Sequence, residues 1–145
     1  MYEQWRAVPG FEGSYEVSSY GLVRSIDRVV WVENRNTTLH YKGRVLRPAT
    51  MPSGHLCVVL GRRNTRLVHA LVMLAFVGAR PAKADVLHVD HNPANNTLKN
   101  LRYGTRSENM RMDYAAGRRT TPVEFIRSDN GTRKPQNVVR SQPCT

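Results

Sequence analysis

Residues 86–110 read VLHVDHNPANNTLKNLRYGTRSENM, with two histidines, an aspartate and several asparagines set among strand-forming and helix-opening residues. These residue types suit the hydrolysis of a phosphodiester bond. That reaction needs a base to activate water, a divalent cation to stabilise charge on the phosphate and the departing oxygen, and groups that hold both in place. Neutral imidazole is a suitable base near pH 7. Oxygen ligands suit a hard cation such as Mg²⁺, which keeps several waters and takes only one or two protein groups. A strand carrying His88, an amide-rich loop and a helix opening with Asn109 supply all of these in one supersecondary unit.

Positioning them requires particular elements. Val86 to Val89 reads as a short strand. Thr105-Arg106-Ser107-Glu108 matches a capping box, in which the threonine hydroxyl takes the third helical N–H and the glutamate reaches back to the cap. The pattern predicts a helix from Arg106 to Ala116, ended by Gly117, with Asn109 in its first turn. Upstream, the polar pair Asn64-Thr65 precedes RLVHALVMLAFVG, whose apolar length predicts a buried helix over 66–77 with Gly78 as its stop. The N-terminal segment WRAVPGFEGSYEVSSYGLVRSIDR reads as a hairpin turning at Tyr20-Gly21, with Trp5 and Phe11 as core anchors. Further strands are predicted at VVWVE and HLCVVL, the latter preceded by the turn-forming RPATMPSG. Beyond Gly117 the chain has few apolar residues, several prolines and a basic excess, which predicts a flexible tail able to lie along a phosphate backbone.

Charge and cysteine usage narrow the class. In 145 residues, 22 Lys+Arg against 11 Asp+Glu leave a net charge of +11, with a pI of about 10.5. Such a surplus favours a nucleic acid over an inert basic surface or an anionic membrane, because each cation set against a phosphate releases condensed counterions. Cys57 and Cys144 cannot build a disulfide framework or a Cys-x-x-Cys zinc site, which fits a reducing cytoplasm. MYEQWRAVPG is not an apolar signal core, and LVMLAFVGA is too short to span a bilayer, so no membrane partner is expected.

The run HVDHNPANNTLKNLRYGTRSEN resembles the HNH endonucleases of phage and homing type, whose nuclease unit is a β-hairpin followed by a helix around one metal ion. VHALVMLAF resembles that family's preceding helix, and WRAVPGFEGSYEVSSYGLVRSI resembles the short N-terminal module called NUMOD4; together they cover residues 3–118. The resemblance implies an α+β protein with four parts. These are a small antiparallel β module over 1–30, a connecting β segment over 31–65, a ββα-metal nuclease unit over 66–118 and a flexible basic tail over 119–145. It also implies hydrolysis of double-stranded DNA with one divalent ion, Mg²⁺ or alternatively Mn²⁺, with nicking as the first product.

Anchoring the family pattern on NLRYGT and SEN puts His88 on the general base, Asn100 on the asparagine that braces the loop, and Asn109 on a metal ligand. His91 then falls in the turn, where related sequences often have glycine. The residue before the base is Leu87, where better-described members commonly carry Asp or another ligand. Asp90 supplies the missing carboxylate in this reading, two residues on and on the same strand face as His88 if the strand persists. A second register makes Asp90-His91 the working pair, with His91 catalytic, and shortens the spacing to Asn100 and Asn109 by three residues.

Ordinary roles stand beside these. His69 reads as a buried histidine satisfied by hydrogen bonds. Asn92, Asn95 and Asn96 read as turn scaffold, and Tyr15, Tyr20 and Tyr103 as packing. Arg102, Arg106, Arg111, Arg118 and Arg119 read as phosphate contacts, against the alternative of a solvated charged face. Arg24, Arg28, Lys42, Arg44, Arg47, Arg62, Arg63 and Arg66 extend the basic set without the sequence saying which share a face. The rival function is a DNA-binding module whose nuclease centre is degenerate, with Leu87 marking the loss of metal binding. An RNA or packaging accessory factor is a third.

Overall fold

Ser18 shapes the first hairpin. Strands β2 (Tyr15–Ser18) and β3 (Val23–Ser25) pair antiparallel with Val17 opposite Val23. The buried Ser18 hydroxyl oxygen accepts the Tyr20 and Leu22 N–H groups at 3.2 and 3.1 Å, and Gly21 takes the positive φ of 84° that closes the turn. β1 (Trp5–Ala7) joins the free edge of β2. β4 (Arg28–Val32) and β5 (Thr37–Tyr41) form a separate two-stranded ribbon, on which Val29 and Trp31 remain 59% and 55% exposed. β6 (Arg44–Val45) returns to β3, giving the order β1-β2-β3-β6. β7 (Ala49–Thr50), β8 (Leu56–Leu60) and β9 (Asn64–Leu67) make a three-stranded sheet.

The predicted helix over 66–77 is shorter than its apolar run. Asn64–Leu67 pairs with β8, so the polar pair read as a helix onset belongs to a strand instead. Helix α1 spans Val68–Phe76 and has no side-chain cap at its start. The ladder hydrogen bonds of β9 outweigh the helical preference of those residues. The helix closes as Gly78, at φ 126°, donates its N–H to the Met73 carbonyl. Val68, Leu71, Val72 and Met73 of α1 pack with Val8, Val17, Val23, Val58, Leu60 and Leu101 in one core. Phe11 packs against that core, its ring edge-on to Tyr15. Trp5 does not anchor it: the ring is half-buried, with the Arg24 guanidinium 4.0 Å above it.

β10 (Ala84–His88) and β11 (Leu101–Thr105) pair antiparallel, with Val86 opposite Tyr103 and His88 opposite Leu101. Tyr103 donates its hydroxyl to the Gly78 carbonyl at 2.8 Å, tying β11 to the end of α1. Helix α2 (Arg106–Ala115) begins at the predicted residue and stops one short of Ala116. Gly117, at φ 70°, lets Arg118 donate to the Asp113 carbonyl and close the helix.

The computed structural model describes residues 2–118 and, as backbone, the strands β12 (Phe125–Arg127) and β13 (Arg133–Pro135), which pair with one another. The expectation of a flexible tail falls otherwise outside the described residues. The chain divides into two compact units, Met1–Thr105 and Arg106–Thr145. Among the described residues no helix is long and apolar enough to cross a membrane.

Candidate active site

His88 is the last residue of β10, on the face that carries Val86 toward the core, and it is buried. Three elements bring imidazoles together there. His55 precedes β8, His69 sits in the first turn of α1, and their ring centroids lie 5.6 and 5.2 Å from that of His88 and 5.0 Å from one another. The Nδ1 atom of His69 is buried without a hydrogen-bond partner, so the expected satisfied core histidine is not what the fold holds. Burial, reinforced by His88 and then His55, lowers its pKa to about 4. His55 is shifted the same way, first by burial and then by His88, and its Nδ1 pairs with the Ser53 hydroxyl at 2.9 Å.

The loop after β10 is built on Asp90. Val89 adds one more ladder bond, to the Asn100 carbonyl, and His91 then donates its N–H to the His88 carbonyl. The strand therefore ends before Asp90, and the premise of a shared strand face with His88 does not hold. One Asp90 oxygen accepts from the Asn92 N–H (2.8 Å) and Asn100 Nδ2 (2.8 Å), while the other accepts from Asn95 Nδ2 (2.6 Å). These bonds hold the carboxyl at a pKa of about 2. Asn100, buried, also accepts from the Asp90 N–H and donates to the Asn95 carbonyl. His91 occupies the turn at φ 59°.

Asn96, read from sequence as turn scaffold, is 3% exposed, and its Oδ1 lies 3.1 Å from His88 Nε2. An amide oxygen only accepts, so this contact is a hydrogen bond when Nε2 carries the ring proton, an arrangement that leaves the lone pair on Nδ1. Neither Asn96 nor His55 carried a sequence signal: one sits in an irregular loop, and the other is far along the chain from both partners.

Leu87 points to the opposite face of β10 and is 2% exposed. Asn109 lies in the first turn of α2, within the second unit. Arg102 is exposed on β11, Arg106 and Arg111 are exposed on α2, and Arg118 follows that helix; Arg119 lies outside the described residues. Arg106 and Arg111, five positions apart, diverge by about 140° around α2. Of the other cations, Arg28, Lys42, Arg44 and Arg62 line a cleft of about 740 Å³ with Tyr41, and none of its described lining residues is a carboxylate. Arg24 is instead paired with Glu16 at 2.6 Å.

For a cation, the described residues contain no cluster of three or more His, Cys, Asp or Glu that could hold one. A hard cation asks for less. Asp90 is exposed and ionised, and its two oxygens offer about four lone-pair sites, of which three are used. An all-oxygen set of this kind fits Mg²⁺ or Mn²⁺ better than a softer ion.

The sequence matches the NUMOD4 motif over residues 3–61 and the HNH endonuclease model over residues 66–111. Over those two stretches the chain is similar to NUMOD4-bearing HNH endonucleases. It is 29% identical over 117 residues to the DNA endonuclease I-HmuI of Bacillus phage SP01, an alignment that covers 79% of this chain and 59% of I-HmuI. A solved structure, titled DNA binding and cleavage by the HNH homing endonuclease I-HmuI, matches with a TM-score of 0.64 at 26% identity, covering 81% of this chain and 62% of its own. The chain thus spans about three fifths of the length of that relative. The HNH match contains β10, β11 and their loop, whereas His55 comes from the NUMOD4 part.

Proposed function

We propose that this chain is a divalent-metal-dependent DNA endonuclease that hydrolyses one phosphodiester bond of a duplex per encounter, with His88 as its proton acceptor. The observation that carries the reading is the state of that ring. It is buried at the end of β10 with Nε2 3.1 Å from Asn96 Oδ1, a contact that as a hydrogen bond leaves Nδ1 to take a proton. In the reaction, water oxygen bonds to phosphorus, its proton passes to His88 Nδ1, and the bond to the departing 3′ oxygen breaks in line. Asn100 and Asp90 keep the loop in shape through their mutual bonds. Asp90 would hold the cation, whose chemistry is to stabilise charge on the phosphate and the leaving oxygen, and the family pattern gives Asn109 a ligand role as well. The turn geometry of His91, closed onto the His88 carbonyl, supports a turn role rather than a catalytic one. The cleft of Arg28, Lys42, Arg44 and Arg62 suits a DNA backbone.

Supercoiled plasmid incubated with Mg²⁺ or Mn²⁺ tests this. Open circle should appear first and be abolished by chelator and by His88→Ala, but not by His91→Ala. Cleavage retained in His88→Ala would sink the assignment, and loss only in His91→Ala would move it to the other register. One observation favours a second reading, a DNA-binding module that no longer cuts: a buried leucine, Leu87, fills a position where the family commonly has a ligand. Salt-sensitive DNA binding with no cleavage under either metal would select it.

A further inference from the structure

Asn96, which ties the His88 ring, is itself clamped by the N-terminal hairpin. A Cβ added at Gly21 would lie 2.8 Å from the Asn96 carbonyl oxygen and 2.9 Å from the Asn96 Cβ, closer than real Cβ contacts. The backbone of the same loop is bonded to the same turn: Leu98 donates its N–H to the Ser19 carbonyl at 2.8 Å. A second turn from the NUMOD4 part presses from elsewhere, since a Cβ at Gly54 would meet the Pro93 side chain at 2.9 Å. Asn96 Nδ2 reaches the Ala94 carbonyl at 3.4 Å, which turns Oδ1 toward the histidine. His55 and His69 flank the His88 ring and restrict its rotation.

We propose that the NUMOD4 hairpin is a working part of the nuclease centre: its Ser18–Gly21 turn fixes Asn96, and Asn96 as a positioning residue locks His88 in the tautomer protonated on Nε2. The inference rests on His88 being the proton acceptor only for its catalytic consequence. The tautomer itself is a property of the full chain without metal or DNA. A module joined merely to add DNA affinity would leave the imidazole proton indifferent to residue 21.

Long-range ¹H–¹⁵N correlation spectra of the ¹⁵N-labelled full chain read this directly, because there are only five histidines and His88→Ala assigns the signal. At about pH 8, where imidazole is ordinarily neutral, wild-type His88 should carry its proton on Nε2. In Asn96→Ala the proton should divide between the two nitrogens, and Asn96→Asp, which keeps an acceptor oxygen, should restore the Nε2–H form. With plasmid, Asn96→Ala should lower kcat about 10- to 100-fold, the usual range for a partner of a ligand or base, with KM unchanged. Gly21→Ala should perturb the His88 signal. Gly13→Ala is its control, since Gly13 has a similar positive φ of 77° but nothing within 4 Å of an added Cβ. A wild-type His88 protonated on Nδ1 overturns the proposal without any variant. So does an unchanged tautomer in Asn96→Ala, or a Gly21→Ala spectrum that matches Gly13→Ala. Retained cleavage in His88→Ala overturns the functional reading and leaves the tautomer result standing.

Discussion

Asp90 and His69 both have depressed pKa values, with opposite chemical meaning. Hydrogen bonds from the Asn92 backbone and from Asn95 and Asn100 hold the Asp90 carboxyl at about 2, so its bonds are complete above the unfolded value of 3.8 and are lost only as pH falls toward 2. His69 is kept neutral to about 4 by burial and by its two imidazole neighbours. Between pH 6.5 and 4 the unfolded chain therefore binds a proton at this residue that the folded chain does not. Stability falls as pH falls through that window. A Tm profile should drop more steeply there for wild type than for His69→Leu; parallel profiles would contradict the account. Leu87→Asp should cost about 2 kcal/mol or more, since it gives up a buried leucine and buries a carboxylate. If the new carboxylate ligates, added Mg²⁺ should recover part of the lost Tm, and a Tm equal to wild type without metal would show the site to be open. At this scale the gathering of His88, Asp90 and Asn100 about one loop is legible because their types and spacing form a recognisable pattern. Asn96 is not, because only the direction of one residue in an irregular loop separates it from Asn95.

Elements were legible where local signals agree with the packing. Alternation and Gly21 marked the first hairpin, and Thr105 with Glu108 marked where α2 begins. The signal failed where partners distant in sequence decide the outcome. Asn64–Leu67 has the composition of a helix onset, yet each residue pairs with β8. β6 and β7, two residues each, carry no periodicity to read. The burial pattern of β8 gives a test of the same logic. Leu60 is fully buried while its neighbour Val59 is 54% exposed. Leu60→Ala should cost about 2–5 kcal/mol in denaturant unfolding, and Val59→Ala about 0.5 kcal/mol or less. Equal losses would mean that this strand does not face the core as described.

For the whole molecule, the net charge of +11 predicts a polyanionic partner, but which cations share a surface is read only from the fold. Arg24 is engaged by Glu16 and Trp5, whereas Arg28, Lys42, Arg44 and Arg62, from three separate segments of the chain, meet at one cleft. Arg44→Ala should weaken DNA binding similarly on unrelated sequences and reduce the slope of log K against log salt by about 1. An unchanged slope would remove the cleft from the DNA track. The contact of Gly21 with Asn96 also bears on how such proteins can be recombined. An N-terminal module grafted from one family member onto the nuclease unit of another carries half of a fitted pair. Chimeras joined in the stretch between the two halves, near residues 62–65, should be active only when the incoming turn and the resident loop match. Natural shuffling of these parts would then proceed by exchanging both together, so that the unit of inheritance is larger than the module that sequence comparison marks out.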